Sequence, residues 1–380
     1  MLKVLLDPQI FNVQNFGGIS RYYTEILSAL ADEKSVSMTL PLLYTDNLHY
    51  KRSSLFNTSY QNENRFLIRY SKAFRSYQPR KLREKNSQNL VTLLKERLFD
   101  LFVPSYYDPY FLEYIGDKPF VLTVHDMINE LFPHYFTEDK TTVPNKKLLM
   151  ERAAKIIAVS ENTRKDIIKL YPDIDASKIK VIHLAHGLAP DQRTHVILPE
   201  NYILFVGNRK LYKNFIFLLK SVKSLLNNTP GLQLLCAGGG DFDSDELQLI
   251  GELGLYEKVK QQNFEDPELP AYYKHAQCFV FPTEYEGFGI PVLEAMACGC
   301  PVVLGKHSSF PEVAGDAGIY FDLNSPQDLS SKIKYLLENE DTRREYKIKG
   351  LERSKLFSWE KNAHETLEVY KSVIKEDSVL

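Results

Sequence analysis

What the chain lacks narrows its identity first. No run of about 18 apolar residues occurs anywhere in its 380 residues, so no segment reads as a membrane-spanning helix. Met1 to Asp7 carries no basic region followed by an apolar stretch and a small-residue cleavage site; it is expected to be a buried first strand, not a signal peptide. Cysteine is scarce: Cys236, Cys278, Cys298 and Cys300. Three of these lie in apolar segments, and Cys298-Gly-Cys300 lacks the two-residue spacing and partner ligands of a zinc or redox site. Reduced, buried thiols in a cytoplasmic protein are the expectation. A net charge of −2 gives no global attraction to nucleic acid or membrane. The fingerprint G-x-G-x-x-G after the first strand, with an acid about 20 residues on, is also missing, which argues against a dinucleotide oxidoreductase.

What is present is an ordinary globular composition, 44% hydrophobic and 25% charged, in a chain too long for one core. Short apolar runs alternate with helical patterns, the signature of parallel sheets with crossover helices. The first half offers strands at Leu2–Asp7, Val36–Tyr44, Leu101–Pro104, Phe120–His125, Ile156–Ser160 and Lys180–Leu184. The second half offers Tyr202–Val206, Leu232–Ala237, Val259–Phe264, Cys278–Phe281, Pro301–Leu304 and Gly318–Phe321. These series predict an α/β protein with two Rossmann-like, doubly wound parallel-sheet domains, over residues 1–190 and 200–355. His186 to Glu200, with Gly187, Pro190 and Pro199 and no periodicity, reads as the linker. Trp359 to Ile374 reads as a helix with an apolar face at Ala363, Leu367, Tyr370 and Val373.

Charge is uneven in one place. Arg65 to Lys85 holds eight Lys or Arg against one acid, Glu84. Phe66, Tyr70, Phe74 and Tyr77 share a helical face, and Pro79 is expected to end the pattern. The stretch suits either packing on its own domain or contact with an anionic lipid surface.

The most informative segment is Cys278 to Leu304, CFVFPTEYEGFGIPVLEAMACGCPVVL. A strand runs to Pro282, a loop Glu286-Gly287-Phe288-Gly289 follows, and Pro291 opens a helix that Gly299 stops. Glycines let backbone approach a ligand, and a helix N-terminus favours phosphate. A carboxylate beside phosphate is repelled unless it faces hydroxyls, so Glu286 and Glu294 suit ribose or sugar diols. Elsewhere Asp241-Phe-Asp243 and Asp173-Ile-Asp175 match the Asp-x-Asp pattern of metal-dependent sugar transfer; the further acids around the first and the helix cap after the second mark both as surface loops.

Glu286 and Glu294, seven residues apart within EGFGIPVLEAMACGCPVV, resemble the signature of the retaining GT-B glycosyltransferases of family four. The resemblance runs nearly end to end. It implies two domains facing across a cleft, the first on the acceptor side and the second binding a nucleotide sugar, with residues 356–380 as a return helix on the first. It implies that Glu294 holds the donor's ribose, that Glu286 holds the donor sugar, and that the amides of Gly287, Phe288, Gly289 and Ile290 approach the sugar and diphosphate. Gly17 and Gly18 are similar to the family's glycine pair, which leads into the first helix and faces the donor phosphates. His125, ending the strand in LTVHD, resembles the active-site histidine. In FVGNRKLYKN, Lys213 fits the family's diphosphate lysine; the usual arginine position is Asn208, with Arg209 or Lys210 as substitute. Gly238–Gly240 and the stretch Asn263 to Ala271 fall where the nucleotide is expected.

The activity so implied is transfer of a hexose from GDP-mannose or a UDP-hexose to a hydroxyl of a glycan or lipid-linked glycan, as in bacterial envelope mannosyl- and glucosyltransferases. No metal or other cofactor is expected, no nucleic acid partner, and a cytoplasmic location, with membrane contact through Arg65 to Lys85. A sugar phosphorylase or epimerase of the same fold, or a non-catalytic nucleotide-sugar-binding subunit, are the alternative readings.

Overall fold

The computed structural model describes residues 1–58, 79–188 and 196–377. Arg65 to Gln78, the core of the basic and aromatic stretch, and residues 189–195 of the linker lie outside these. Twelve strands are found among the described residues: β1 Leu2–Leu6, β2 Val36–Thr39, β3 Leu101–Val103, β4 Val121–Val124, β5 Lys155–Ala158, β6 Ile179–Val181, β7 Asn201–Val206, β8 Leu232–Ala237, β9 Val259–Gln262, β10 Cys278–Phe281, β11 Val302–Gly305 and β12 Gly318–Phe321. Every pairing is parallel. Strands such as Cys278–Phe281 and Val302–Gly305 are buried along their whole length, as helices on both sheet faces demand.

The chain forms two compact units. The first holds Met1–Val159, Thr163–Leu184 and the last helix, Trp359–Asp377. Its strands run β2-β1-β3 and β4-β5-β6, with a single parallel bridge from Phe102 to Phe120 between the two sets. Its core gathers Phe102, Phe111, Leu122, Met150 and Ile156. Trp359 packs near Tyr22, and Asn362 donates from Nδ2 to the His183 carbonyl at 2.7 Å, which fixes the last helix to this unit.

The second unit holds Ser160–Asn162 and Ala185–Ser358. Its sheet order is β12-β11-β10-β7-β8-β9. The helix Phe215–Asn228 turns Leu218, Leu219, Val222 and Leu226 inward, a helical repeat of apolar positions. Each such fully buried side chain contributes about 1.5–3 kcal/mol before entropic costs.

In both sheets the chain builds outward on one side of its first strand and then returns to build on the other. The reversal falls between β7 and β10 in the second unit and between β1 and β3 in the first. Open α/β sheets bind ligands at the carboxyl ends of the strands flanking such a reversal.

Several expectations need correction. Pro79 begins a helix, Pro79–Glu96, where proline lacks an N–H that the first turn does not use; the pattern it was expected to end lies outside the described residues. A short helix, Gln9–Val13, precedes Gly17 and Gly18, so the glycine pair opens the second helix, not the first. β2 stops at Thr39, two residues before Pro41, and β9 stops at Gln262. Pro291 takes the second position of its helix, Ile290–Ala297, after Gly289. No helix among the described residues is long and apolar enough to cross a membrane.

Candidate active site

The loops leaving β7 and β10 meet at the reversal of the second sheet. Glu284 donates its backbone N–H to the Tyr212 carbonyl at 2.8 Å, which ties the loops together. Leu211 and Asn214 take left-handed backbone, with φ of 53° and 58°, and so fold the first loop into a tight turn that carries Lys213. Lys213 Nζ lies 2.5 Å from Glu286 Oε1, with the side chains 20% and 16% exposed. Burial works to lower the ammonium's pKa, but Glu286 outweighs it and the net shift is upward. The lysine is therefore charged at neutral pH.

Glu286 sits in a loop gripped from the next crossover. Ser308 Oγ accepts from Glu286 N at 3.1 Å and donates to Glu286 O at 2.5 Å. The buried Ser309 hydroxyl lies 3.0 Å from Glu286 O and 2.8 Å from Phe288 O. His307 Nε2 lies 2.9 Å from Thr283 O. Phe288 is buried edge-on against Phe357. Gly287 and Phe288 thus form the middle of the held loop. Gly289 then turns into the helix with φ of 95°, where an added Cβ would meet the Phe310 ring at 3.2 Å. Ile290 is the first helical residue, so the loop presents the helix N-terminus at the sheet's carboxyl edge. Glu294, one turn further in, is buried; Tyr273 Oη lies 3.4 Å from its Oε2. Burial, with Glu294 beside it, raises the Tyr273 pKa well above the ordinary phenol value, so Tyr273 is a donor.

Arg209 departs from expectation. It is buried, pairs through Nε with Glu246 Oε1 at 3.1 Å, and donates to the carbonyls of Gly238, Gly240 and Asp241 at 3.0, 2.9 and 3.0 Å. Its guanidinium also stands over the Phe242 ring, 4.7 Å from the centroid. A cation so engaged is a clamp on the 238–241 turn and is not offered to a diphosphate. Gly238, Gly239 and Gly240 are all left-handed, with φ of 75°, 77° and 75°; a Cβ on Gly239 would meet Gly207 O at 2.5 Å. Lys210 pairs with Asp243. Asp243 caps the helix Ser244–Glu252 in a reciprocal box with Glu246, and Asp175 caps the turn Ala176–Lys178, so an acid of each Asp-x-Asp match has a structural task.

In the first unit His125 follows β4 and is buried. Its N–H donates to Tyr107 Oη at 3.1 Å, and its ring meets Tyr22 edge-on at 5.2 Å. Its Nε2 is buried without a partner among the described residues. Burial lowers its pKa to about 4, helped by Lys146 and opposed by Asp126, so the ring is neutral at pH 7. Gly17 precedes and Gly18 begins the helix Gly18–Leu30; Gln14 Oε1 accepts from Ser20 N at 3.2 Å at that helix start.

The structure thus brings Lys213, Glu286, Gly287, Phe288, Gly289, Ile290 and Glu294 into one unit's loop pair. His125, Gly17 and Gly18 lie at carboxyl-side loops of the other. Ser308, Ser309 and Tyr273 were not legible: isolated Ser and Tyr side chains carry no spacing signal, and their work appears only when three crossovers converge.

Comparison with known proteins identifies the family and the fold. Residues 16–185 match the family Glycosyltransferase Family 4, and residues 191–353 match the family Glycosyl transferases group 1. The chain is 31% identical over 283 residues to O-antigen chain mannosyltransferase B of Escherichia coli, covering 70% of this chain and 73% of that protein. It is 29% identical over 216 residues to O-antigen chain mannosyltransferase RfbU of Salmonella typhimurium, covering 56% and 59%. Among solved structures, a sucrose-phosphate synthase from Thermosynechococcus elongatus superposes with a TM-score of 0.72 over 99% of this chain and 100% of that one, at 20% identity. Anabaena HepE in complex with UDP and glucose gives 0.67 over the full length of both at 18% identity, a likeness of fold. The chain belongs to the group 1, family 4 glycosyltransferases, enzymes of the GT-B fold. It is a glycosyltransferase.

Proposed function

We propose that this enzyme moves a hexose, with net retention at the anomeric carbon, from a nucleotide-diphosphate sugar to a hydroxyl of a glycan or lipid-linked glycan in the assembly of an O-antigen-like polysaccharide. The observation that carries the reading is the Lys213–Glu286 pair, 2.5 Å apart at the reversal of the second sheet, with Glu294 buried behind it. The names of the two O-antigen mannosyltransferases support mannose, hence GDP-mannose, and HepE's complex with UDP keeps a UDP-hexose in view.

On this reading the donor exchanges partners with the pair. Lys213 turns to the diphosphate, where leaving-group charge develops, and Glu286 turns to sugar hydroxyls. Glu294, braced by Tyr273, accepts from the ribose diol. The amides of residues 287 to 290 and the helix start receive phosphate or sugar oxygens. His125, neutral and with an unused Nε2, polarises or orients the transferred sugar. Gly17 and Gly18 let the start of their helix approach the donor phosphates. No residue placed here is a natural covalent nucleophile, and front-face attack with the departing phosphate taking the acceptor proton fits the set. Turnover without a divalent cation, a cytoplasmic location and contact of the Arg65 to Lys85 stretch with the membrane's inner face belong to the same proposal.

The test is transfer from GDP-mannose, UDP-glucose and UDP-galactose in the presence of EDTA, with the product's anomeric configuration read by NMR. Inversion would remove the mechanism. Failure of GDP, UDP and ADP alike to raise the melting temperature would remove the donor site.

A further inference from the structure

The first unit carries a cavity of about 550 Å³ that none of the roles above uses. Gln9 and Asn12 line it from the segment after β1, Tyr106, Asp108 and Tyr110 from the segment after β3, and Arg83 from the helix Pro79–Glu96. It therefore opens at the carboxyl ends of β1 and β3, the pair that flanks this sheet's own reversal, where the topology places ligands. Its size is that of pockets that hold small organic molecules.

The lining is built around unfinished hydrogen bonding. Gln9 Oε1 accepts from Asp108 N at 3.2 Å, and Asn12 Oδ1 accepts from Asn86 Nδ2 at 2.7 Å; neither NH₂ end is spent on another of the described residues. Arg83 spends Nη2 on Asp46 at 3.5 Å, while its Nε is buried with no partner among the described residues. Asp108 takes Tyr110 N on Oδ1 at 3.2 Å, leaving Oδ2 to accept. Behind them Asp7 is wholly buried, held on Oδ1 by Tyr110 Oη at 2.7 Å and Gln9 N at 2.9 Å.

We infer that this cavity binds an uncharged hexose unit of the acceptor glycan, an inference that rests on the transferase reading. Interleaved amide and guanidinium donors with a carboxylate acceptor match a ring of hydroxyls, each of which both donates and accepts. Two tyrosines on the wall give a sugar's C–H face an apolar surface with a polar edge. Free phosphate fits less well. Glu84 and Asp108 line the cavity against a single cation, Arg83, which Asp46 already shares.

The probe is a panel of methyl α-glycosides of mannose, glucose, galactose and N-acetylglucosamine, observed by saturation-transfer NMR on the full chain. At least one gives a signal with wild-type protein that falls fivefold or more in both Tyr106→Ala and Arg83→Gln. Both variants keep the nucleotide-induced thermal shift, which certifies the fold and tests the donor reading separately. A signal unchanged in both variants, or no signal from any glycoside, overturns the inference. So does displacement of the glycoside by inorganic phosphate at equal concentration, which would make the cavity an anion site. If no nucleotide shifts the melting temperature, the transferase reading itself has failed, and that outcome is visible before any glycoside is added.

Discussion

The two sheets end in opposite electrostatic conditions. Beyond β7 and β10, Lys213 and Glu286 face one another at 2.5 Å, and the carboxylate raises the lysine's pKa against the pull of burial. Beyond β1 and β4, Asp7 and His125 are buried with no opposite charge close enough to do the same. Burial pushes the carboxyl up to about 7 and the imidazole down to about 4. One backbone plan thus yields, at the second sheet, a charge pair suited to a diphosphate and, at the first, two ionisable groups discharged by burial beside the paired Lys146 and Glu130. What separates them is whether each ionisable side chain was given a counter-charge.

The strongest way to break this contrast is at Glu286. Glu286→Ala is expected to lower transfer by at least ~10³-fold, in the range lost when a preorganised transition-state contact is removed. Melting temperature and nucleotide binding should stay near wild type, because the carboxylate's only described anchor is the Lys213 ammonium. Near-normal turnover would sink the site. The two cations four residues apart sharpen the same point. Arg209→Met should cost ~3–5 kcal/mol of stability by breaking a buried ion pair and leaving Glu246 only the more distant Lys210, 3.9 Å away. Lys213→Ala should leave the melting temperature within a few degrees but weaken nucleotide diphosphate binding by ~10- to 100-fold, the worth of one charge-assisted hydrogen bond. Equal nucleotide loss in both variants would return Arg209 to the donor site.

That last distinction shows where reading the sequence stops. Strand centres were legible because parallel strands buried on both faces appear as short unbroken apolar runs, as in Cys278–Phe281. Glu286 and Glu294 were legible because loop, glycines and helix start lie within one short stretch of chain. Arg209 was misread because its fate depends on Glu246, 37 residues away, and on a turn of three glycines whose carbonyls happen to face it. The cavity beyond β1 and β3 was invisible, since its walls come from segments some 70 to 100 residues apart.

Titration separates the ends of the first sheet more finely. His125 has its pKa depressed from 6.5 to about 4 on folding, so the stability it contributes is present above pH 6.5 and is lost as pH falls toward 4. Asp7 is raised from 3.8 to about 7, so its contribution is present below pH 3.8 and is lost as pH rises toward 7. His125 is worth roughly 3 kcal/mol and Asp7 roughly 4–5 kcal/mol over its window, and in the overlap they oppose one another. Asp7→Asn should therefore make stability climb more steeply with pH between about 4.5 and 6.5 than in wild type. His125→Phe should tilt it the other way. Urea melts at half-unit pH steps measure the difference in slope. Parallel curves for all three proteins would mean that neither group is discharged by burial.

The smallest expected effect tests whether the charged end depends on being held. Ser309 carries one hydroxyl hydrogen between two carbonyls, Glu286 O and Phe288 O, so Ser309→Ala removes one shared hydrogen bond and leaves buried acceptors short, a loss of ~1–2 kcal/mol. Ser308 differs: its φ of 55° is strained for a residue with a Cβ, so Ser308→Gly relieves backbone strain while deleting the hydroxyl that bridges Glu286 N and O. If these serines act by placing Glu286, Ser309→Ala lowers kcat severalfold with the donor KM little changed, and Ser309→Thr restores most of it. Ser308→Gly then loses activity without losing stability. A drop in melting temperature with kcat intact in every variant would make the serines packing residues alone, and Glu286 would owe its position to Lys213 and the turn at Gly289.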